Sequence, residues 1–432
     1  MKKQFISLAF ATTLALPTAT LATNGYWSHG YGPKSKSMAG ACVAMAFGAM
    51  CTASNPGSLV LVGNRIEAGG ALFLPKRGFT ADNNASPIGP PNGPASITPG
   101  EYDSGNNIFL IPHFAYNRMI DANSSIGITM GGNGGMNTEY DTAVFQNFGN
   151  PMYPKTMASS PTGMDLMQMF AGVTYSRRLN EQHSVGIAPI FALQAFEAYG
   201  LEPFTSFSKH PDKVTNNGHD MSYGAGLRLG WLWQVNDRLN IGASYQTKLW
   251  MSDFEDYKGL FADEGNFDVP ANYDVGFSYK LTPKWTFAFN YQGINFEGVN
   301  AIGNASDLVF MPGTTLLGTE DGLGFGWKDA HVYKFGLQWE YNPEWTFRAG
   351  YSYASEIVPS TQALFNVLAP AVVKHHYTVG FGKKLNKDHE INVAISYMPN
   401  ETVYGSNMNT GPQTGSIEIG MWDIEIGWGM RF

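Results

Sequence analysis

The eleven carboxyl-terminal residues, Trp422 to Phe432, constrain this chain more than any other stretch. Met430, Trp428, Ile426, Ile424 and Trp422 are apolar, and Arg431, Gly429, Gly427, Glu425 and Asp423 alternate with them. Successive side chains of a strand point to opposite faces, so one face here is wholly apolar and the other polar or small. Tryptophan marks both margins of the apolar face, and the chain ends on Phe432. An apolar outer band, aromatic girdles at its edges and a polar lumen are the layout of a transmembrane β-barrel. The segment reads as the closing strand of such a barrel in an outer membrane.

The amino terminus agrees with secretion. Lys2 and Lys3 precede an apolar run from Phe5 to Leu16, and Thr20-Leu21-Ala22 makes a small-x-small cleavage site. Residues 1–22 therefore read as a signal peptide with Thr23 as the mature start. Its removal takes the net charge from −8 to −10, because it carries two lysines and no acid. That acidic balance argues against nucleic acid as a partner. Charged residues are only 14% of the chain, against about 25% in a soluble domain. A barrel needs few charges on its lipid face, and its alternating faces average to a low hydropathy without any long apolar run.

Two-residue alternation recurs from residue 65 onward. Trp285, Phe287, Phe289 and Tyr291 form one such apolar set, and Tyr333, Phe335, Leu337 and Trp339 another. Counting these runs predicts strands near 65–76, 107–119, 123–133, 165–178, 183–197, 219–235 and 238–252 in the first part. The second part adds 269–281, 284–297, 328–341, 344–356, 372–385, 389–402 and 417–432. The fold class is thus all-β, a 14-stranded antiparallel barrel over 63–432, and its strand number is even as such barrels require. Short polar turns at Asn236-Asp237, Thr282-Pro283, Asn342-Pro343 and Asn386-Lys387-Asp388 alternate with long loops at 78–106, 198–218, 252–268 and 297–327. Residues 23–62 break the strand period, carry little charge, and suit a plug inside the lumen.

No nucleophile elbow, zinc-protease helix or phosphate-binding loop is present, so nothing here marks an enzyme, and no cofactor or metal is implied. His375 and His376 are neighbours on a strand and face opposite ways. The acidic group Asp253, Glu255, Asp256, Asp263 and Glu264 lacks the spacing of a calcium loop and reads as a solvated rim. Cys42 and Cys51 are compatible with a disulfide or with two buried thiols. Leu201, Phe204, Phe207, Leu260, Phe261 and Phe267 load two long loops with large apolar groups, which suits a hydrophobic groove. Packing of the loops on one another is the other reading. Arg228, Lys248, Lys280, Lys328, Lys334 and Arg348 fall on polar strand faces, with Glu340, Asp274 and Glu425 as available partners.

Several motifs together resemble the FadL family of outer-membrane transporters for hydrophobic compounds. They are Asn24-Gly25-Tyr26, Ser54-Asn55-Pro56-Gly57, Gly326-Trp327-Lys328-Asp329-Ala330, Asn342-Pro343-Glu344-Trp345-Thr346-Phe347-Arg348-Ala349-Gly350 and Ile395-Ser396-Tyr397. The resemblance implies a barrel plugged by an amino-terminal hatch and uptake with no bond made or broken. Ligand would be captured at the loop groove, pass to a lumen site at Thr23, Asn24, Gly25, Tyr26 and Trp27, and leave sideways through a kinked third strand. The kink matches Gly131-Gly132-Asn133-Gly134-Gly135, and glycine in such numbers suits a bent or unpaired strand. The family's Asn-Pro-Ala hatch motif stands here as Asn55-Pro56-Gly57, a departure that loosens the backbone, and Asn55-Pro56 is the expected cover of the gap. Lys328, Lys334 and Arg348 are candidates for holding a carboxylate head group. Long-chain fatty acid is the leading expected substrate, and aromatic or alkane hydrocarbon is the alternative. Membrane lipid, lipopolysaccharide and the barrel assembly machinery are the implied partners. A general aqueous porin is the rival of another class.

Overall fold

The structure, a computed structural model, describes residues 24–84, 95–150, 152–306 and 316–432. The expected leader 1–22 and Thr23 lie outside the described residues. Fourteen long strands run in chain order. They are β1 (Arg65–Ala81), β2 (Phe109–Asp121), β3 (Ser124–Tyr140), β4 (Thr162–Arg178), β5 (His183–Tyr199), β6 (Asp220–Gln234) and β7 (Leu239–Gln246). They continue as β8 (Asn272–Thr282), β9 (Trp285–Ile294), β10 (Ala330–Glu340), β11 (Trp345–Ala354), β12 (His375–Lys384), β13 (His389–Ser406) and β14 (Thr414–Arg431). Each pairs antiparallel with the next, and β14 returns to β1 in unbroken register from Arg65↔Arg431 to Ala81↔Gly415. Two short segments, Gly100–Asp103 and Trp250–Met251, extend the wall beside β1 and β6.

The expected strands are all present, with shifts at their loop ends. β1 and β3 run several residues farther than the alternation suggested, because the wall rises above the apolar band where strand faces need not alternate cleanly. β7 stops at Gln246, and the chain re-enters the sheet only at Trp250. Lys328 precedes β10 rather than lying in it.

Burial is inverted relative to a soluble protein. On β14, Trp422 is 47% and Ile426 55% exposed, while Asp423 is 0% and Glu425 2% exposed. An outward apolar face and an inward polar one are stable only where the surrounding solvent is lipid. Tryptophans crowd the short-turn end, with Trp285 stacked on Trp339 at 5.1 Å. Tyrosines crowd the loop end, with Tyr291 packed on Tyr333 at 5.3 Å and Tyr351 on Tyr377 at 5.3 Å. The tight turns share one device. The side-chain oxygens of Asn180, Asn236, Asn342 and Asn386 each accept two backbone amides just ahead of them. This Asx geometry supplies the turn's hydrogen bonds without more chain.

Residues 24–62 bond to inward-facing groups on opposite sides of the ring, and so fill the lumen. The Ala39 amide donates to Thr378 Oγ1 on β12 (3.0 Å), and Asn55 Nδ2 donates to the Trp231 carbonyl on β6 (3.0 Å). Two lysines that the sequence left without a role anchor the segment. Lys36 Nζ lies 2.8 Å from Asp423 and 3.1 Å from Glu425. Lys34 joins Glu67 (3.3 Å) and Glu390, carboxylates that Arg65 also holds.

Breaking a buried ion pair on one side leaves an uncompensated charge, which destabilises by roughly 3–5 kcal/mol. Lys36→Met should therefore lower the barrel's resistance to thermal unfolding in detergent. Adding Asp423→Asn and Glu425→Gln should restore most of it. A triple variant no more stable than Lys36→Met would show that the charges are not the cause.

Candidate functional site

Residues 24–27 fold as a tight turn. Asn24 and Trp27 exchange backbone hydrogen bonds (3.1 and 3.2 Å), and Gly25 sits at φ 67° between them. A Cβ on Gly25 would come within 2.7 Å of the Phe296 ring, so the turn has both a conformational and a steric need for glycine. Tyr26 packs on Phe296 (5.5 Å), Trp327 (6.0 Å) and Phe267 (6.2 Å), and Trp27 packs on Phe170 (6.3 Å). Both rings are fully buried beneath the long loops. The Asn24 amide is buried with neither its nitrogen nor its oxygen hydrogen-bonded among the described residues. Gln194 on β5 is in the same condition.

Above this turn the loops enclose an apolar cleft with about 670 Å³ of space, part of it open to solvent. Leu201, Phe204, Leu260 and Phe261 line it, as the sequence suggested. Phe207 and Phe267 do not. Phe207 uses its carbonyl to take the Leu317 amide (2.9 Å), and Phe267 packs between Tyr26 and Phe261 (4.8 Å from the latter). Four of the six loop residues thus line a cleft, and two pack within the loops. The cleft draws further on Phe145, Leu317, Phe325, Phe365 and Leu368. Among the described residues no charged side chain lines it. Those contributors were not singled out, because they are spread over three separate long loops. The signal lay only in their sum.

The three cations expected at the lumen site are not brought together. Lys328 is exposed at the loop rim and donates to Glu297 Oε1 (2.8 Å), which holds that carboxyl below its usual range. Arg348 is buried near the opposite end of the barrel, donating to Gln338 (2.8 Å) and Asn392 (3.3 Å) and lying 5.6 Å from the Phe47 ring. Lys334 lies under Gly40 of the plug, where a Cβ on that glycine would be 3.0 Å from its Nζ. The other polar-face cations are also engaged or outside. Arg228 bonds Gln246, Lys248 faces Asp268 at 3.5 Å, and Lys280 is exposed. His375 and His376 do face opposite ways. His375 meets Tyr351 (2.8 Å), whereas His376 stacks on His29 of the plug at 5.6 Å. Among the described residues no cluster of three metal-ligating side chains occurs.

The glycine run is a break in the wall. β2 and β3 pair from the turn up to His113↔Gly131 and no farther. On its other edge β3 keeps pairing with β4 but slips between Gly132 and Gly134, leaving Asn133 as a bulge. Pro112, one residue past the last β2–β3 pair, has no amide to offer a ladder. Ile111 reaches across, and a Cβ on Gly132 would lie 2.8 Å from its Cγ2. Above the gap the wall closes again. The Gly105 amide donates to the Glu139 carbonyl (2.8 Å), and Arg77 spans the carbonyls of Asn137 and Asn106.

Asn55-Pro56-Gly57 does not cover this gap. Asn55 caps the short helix Pro56–Leu61 by accepting the Gly57 amide (2.9 Å) and donates to the Val43 carbonyl (2.6 Å). Gly57 lies against β6, its missing Cβ only 3.0 Å from Gly230 backbone, and its carbonyl accepts Ser184 Oγ (2.7 Å). The glycine at this position tightens the contact instead of loosening it, because a methyl would press on the wall. What stands inside the gap is Tyr31, whose hydroxyl donates to Asn133 Oδ1 (2.6 Å). The expected Cys42–Cys51 bridge is also absent. Both are buried free thiols, and Cys42 Sγ lies 3.2 Å from Ser35 Oγ.

Comparison with known proteins gives a family. The sequence model described as outer membrane protein transport protein (OMPP1/FadL/TodX) matches residues 9–419. Among curated relatives, a long-chain fatty acid transport protein of Salmonella typhi is 20% identical over 355 residues, 72% of this chain and 74% of that one. One from Shigella flexneri is 21% identical over 300 residues, and the match spans 59% of that relative's length. Among solved structures, the toluene transporter TodX of P. putida superposes with a TM-score of 0.66 at 19% identity, covering 94% of this chain and 99% of the other. A Pseudomonas aeruginosa FadL homologue gives 0.65 at 13% identity, covering 94% and 100%. At such identities the structural likeness shows the fold.

A carboxylate in the cleft would be stranded without a cation. Phe204→Glu should weaken binding of an apolar fluorescent dye to the purified protein at least tenfold, since burying a charge costs several kcal/mol. Unchanged dye affinity with a folded barrel would mean the dye, and the cleft's apolar surface, lie elsewhere.

Proposed function

This chain belongs to the outer membrane protein transport protein (OMPP1/FadL/TodX) family, and from that premise we propose that it takes up small hydrophobic molecules passively across the outer membrane. The observation that carries the reading is the loop cleft, apolar and without a charged side chain among the described residues of its lining, set over a fully buried aromatic turn. Such a cleft draws an apolar solute out of water by burial alone, at about 25 cal/mol per Å² of apolar surface. From there Tyr26, Trp27 and Phe170 offer a continuous run of aromatic surface into the lumen. Between Ile111-Pro112 and Gly131-Gly132 the pairing of strands stops, and there an apolar solute passes sideways into lipid. No bond changes. The solute moves down its gradient, and the protein supplies only a path around the polar leaflet.

The lining favours an uncharged aromatic or alkane hydrocarbon as the captured molecule. A long-chain fatty acid is the second reading. What favours it is the buried, unpartnered amides of Asn24 and Gln194, which offer hydrogen bonds to a polar head without a cation. The curated relatives are named for fatty acid transport. Uptake of labelled toluene and labelled oleate by cells producing the protein separates the two. Competition by a tenfold excess of dodecane should abolish uptake of the preferred substrate. Cells that take up neither faster than cells lacking the protein would sink the transport reading.

Replacing Gly132 and Gly134 by Val should straighten β3 and fill the gap, since a side chain at 132 meets Ile111. The variant is expected to fold and to bind the apolar dye as before, yet to lose most uptake. Uptake at the wild-type rate would mean that the solute leaves by another path.

A further inference from the structure

Three cavities lie between the plug and the wall, and two plug side chains, Tyr31 and Met50, border all of them. The first is reached from residues 24–27, because Phe170 lines it and carries Trp27 on its ring. Met130, Ile190 and Arg228 are also in its lining. The second lies at the break in the wall, against Ile111, Pro112, Gly131 and Gly132. The third extends toward Asn392 and Trp428 at the short-turn end. Gly131 borders both the first and the second, so the two meet at the last β2–β3 pair. Tyr31 borders both as well.

The Tyr31 ring is held by its hydroxyl. Its hydroxyl donates to Asn133, the bulged residue of β3, and Asn133 Nδ2 in turn reaches Gln168 on β4 (3.2 Å). The Arg228 guanidinium lies beside the same hydroxyl. The backbone around it is Gly30-Tyr31-Gly32, with Gly32 at φ 76° and packed on Met50. A segment flanked by glycines can rotate with little steric opposition once its hydrogen bond is released.

We propose, on the transport reading above, that Tyr31 is the gate residue of the lateral exit: its ring separates the inner cavity from the cavity at the gap, and its hydroxyl latches that ring to the bulge at Asn133. The latch also fixes the break itself. Asn133 holds the plug and β4 at once, so release of Tyr31 frees the glycine run to move together with the ring. A solute arriving against Phe170 competes for the space of the ring and opens the path by displacing it. The device needs no charge and no chemistry. It recognises only whether an apolar body of sufficient size occupies the inner cavity.

Two substitutions push the gate in opposite directions. Tyr31→Phe keeps the ring and removes the latch, and Tyr31→Trp keeps the position and enlarges the barrier. Amide hydrogen exchange over residues 131–136, read by mass spectrometry on the detergent-solubilised protein, needs no ligand. Loss of one hydrogen bond should make it about fivefold faster in Tyr31→Phe. Uptake of labelled toluene and oleate by cells should rise in Tyr31→Phe and fall in Tyr31→Trp, with dye affinity at the loop cleft unchanged in both. Unchanged exchange and uptake in Tyr31→Phe would overturn the proposal, as would a change in dye affinity, which would place the effect at capture. If wild-type cells take up neither probe, the transport reading fails, and exchange over 131–136 still decides whether the latch exists.

Discussion

A backbone in lipid has no water to bond with, and each orphaned amide or carbonyl there costs several kcal/mol. Closure of β14 onto β1 is this chain's answer. The register from Arg65↔Arg431 to Ala81↔Gly415 leaves no open edge at that seam. Once the ring is closed, lipid on one side and a narrow lumen on the other dictate the rest of the sequence. Outward positions such as Trp422, Ile426 and Trp428 must be apolar, and inward positions such as Asp423 and Glu425 are left to be polar. An interior of that kind is less stable empty, because Asp423 and Glu425 would lose the cation they share, Lys36 of the plug.

The plug resolves that difficulty. Its only two lysines, Lys34 and Lys36, each reach two acidic side chains. The rest of the segment brings small residues close against wall glycines, as Gly57 does at Gly230. The wall thus needs the plug for charge balance, and the plug has too little apolar surface to fold alone. Such mutual dependence lets the segment fill the lumen tightly while retaining small voids around Tyr31.

The wall was legible because period-two alternation is a local property, readable from Trp285 to Tyr291 without knowing any partner. The plug was not. Its contacts are long-range pairs such as Lys36–Asp423, and nothing adjacent to either residue announces the other. In hindsight, two lysines in an otherwise uncharged stretch, set against two acids on the small face of the last strand, were the available clue. The loop cleft was half legible. Leu201, Phe204, Leu260 and Phe261 cluster in sequence and were found, while Phe365 and Leu317 come from other loops. The head-group cations were misjudged for one physical reason. Facing the lumen says nothing about height, and Lys328, Lys334 and Arg348 stand at the rim, under the plug and near the far end.

At the break beside Gly131 the closure rule is relaxed, and its setting explains why it survives. Below it β2 and β3 are paired; above it Arg77 supplies donors to the carbonyls of Asn137 and Asn106, which no strand reaches. The bulge at Asn133 returns its own side chain to Tyr31 and Gln168. Strand hydrogen bonds are therefore exchanged for side-chain ones over a short stretch, rather than lost. The exchange has a consequence for motion. A ladder opens only as a whole, whereas a single hydroxyl on a single amide opens alone, at a cost of about 1 kcal/mol. Glycine at 131, 132, 134 and 135 removes the side chains that would otherwise fill the opening. The same residues that weaken the wall make its weakness small, local and reversible.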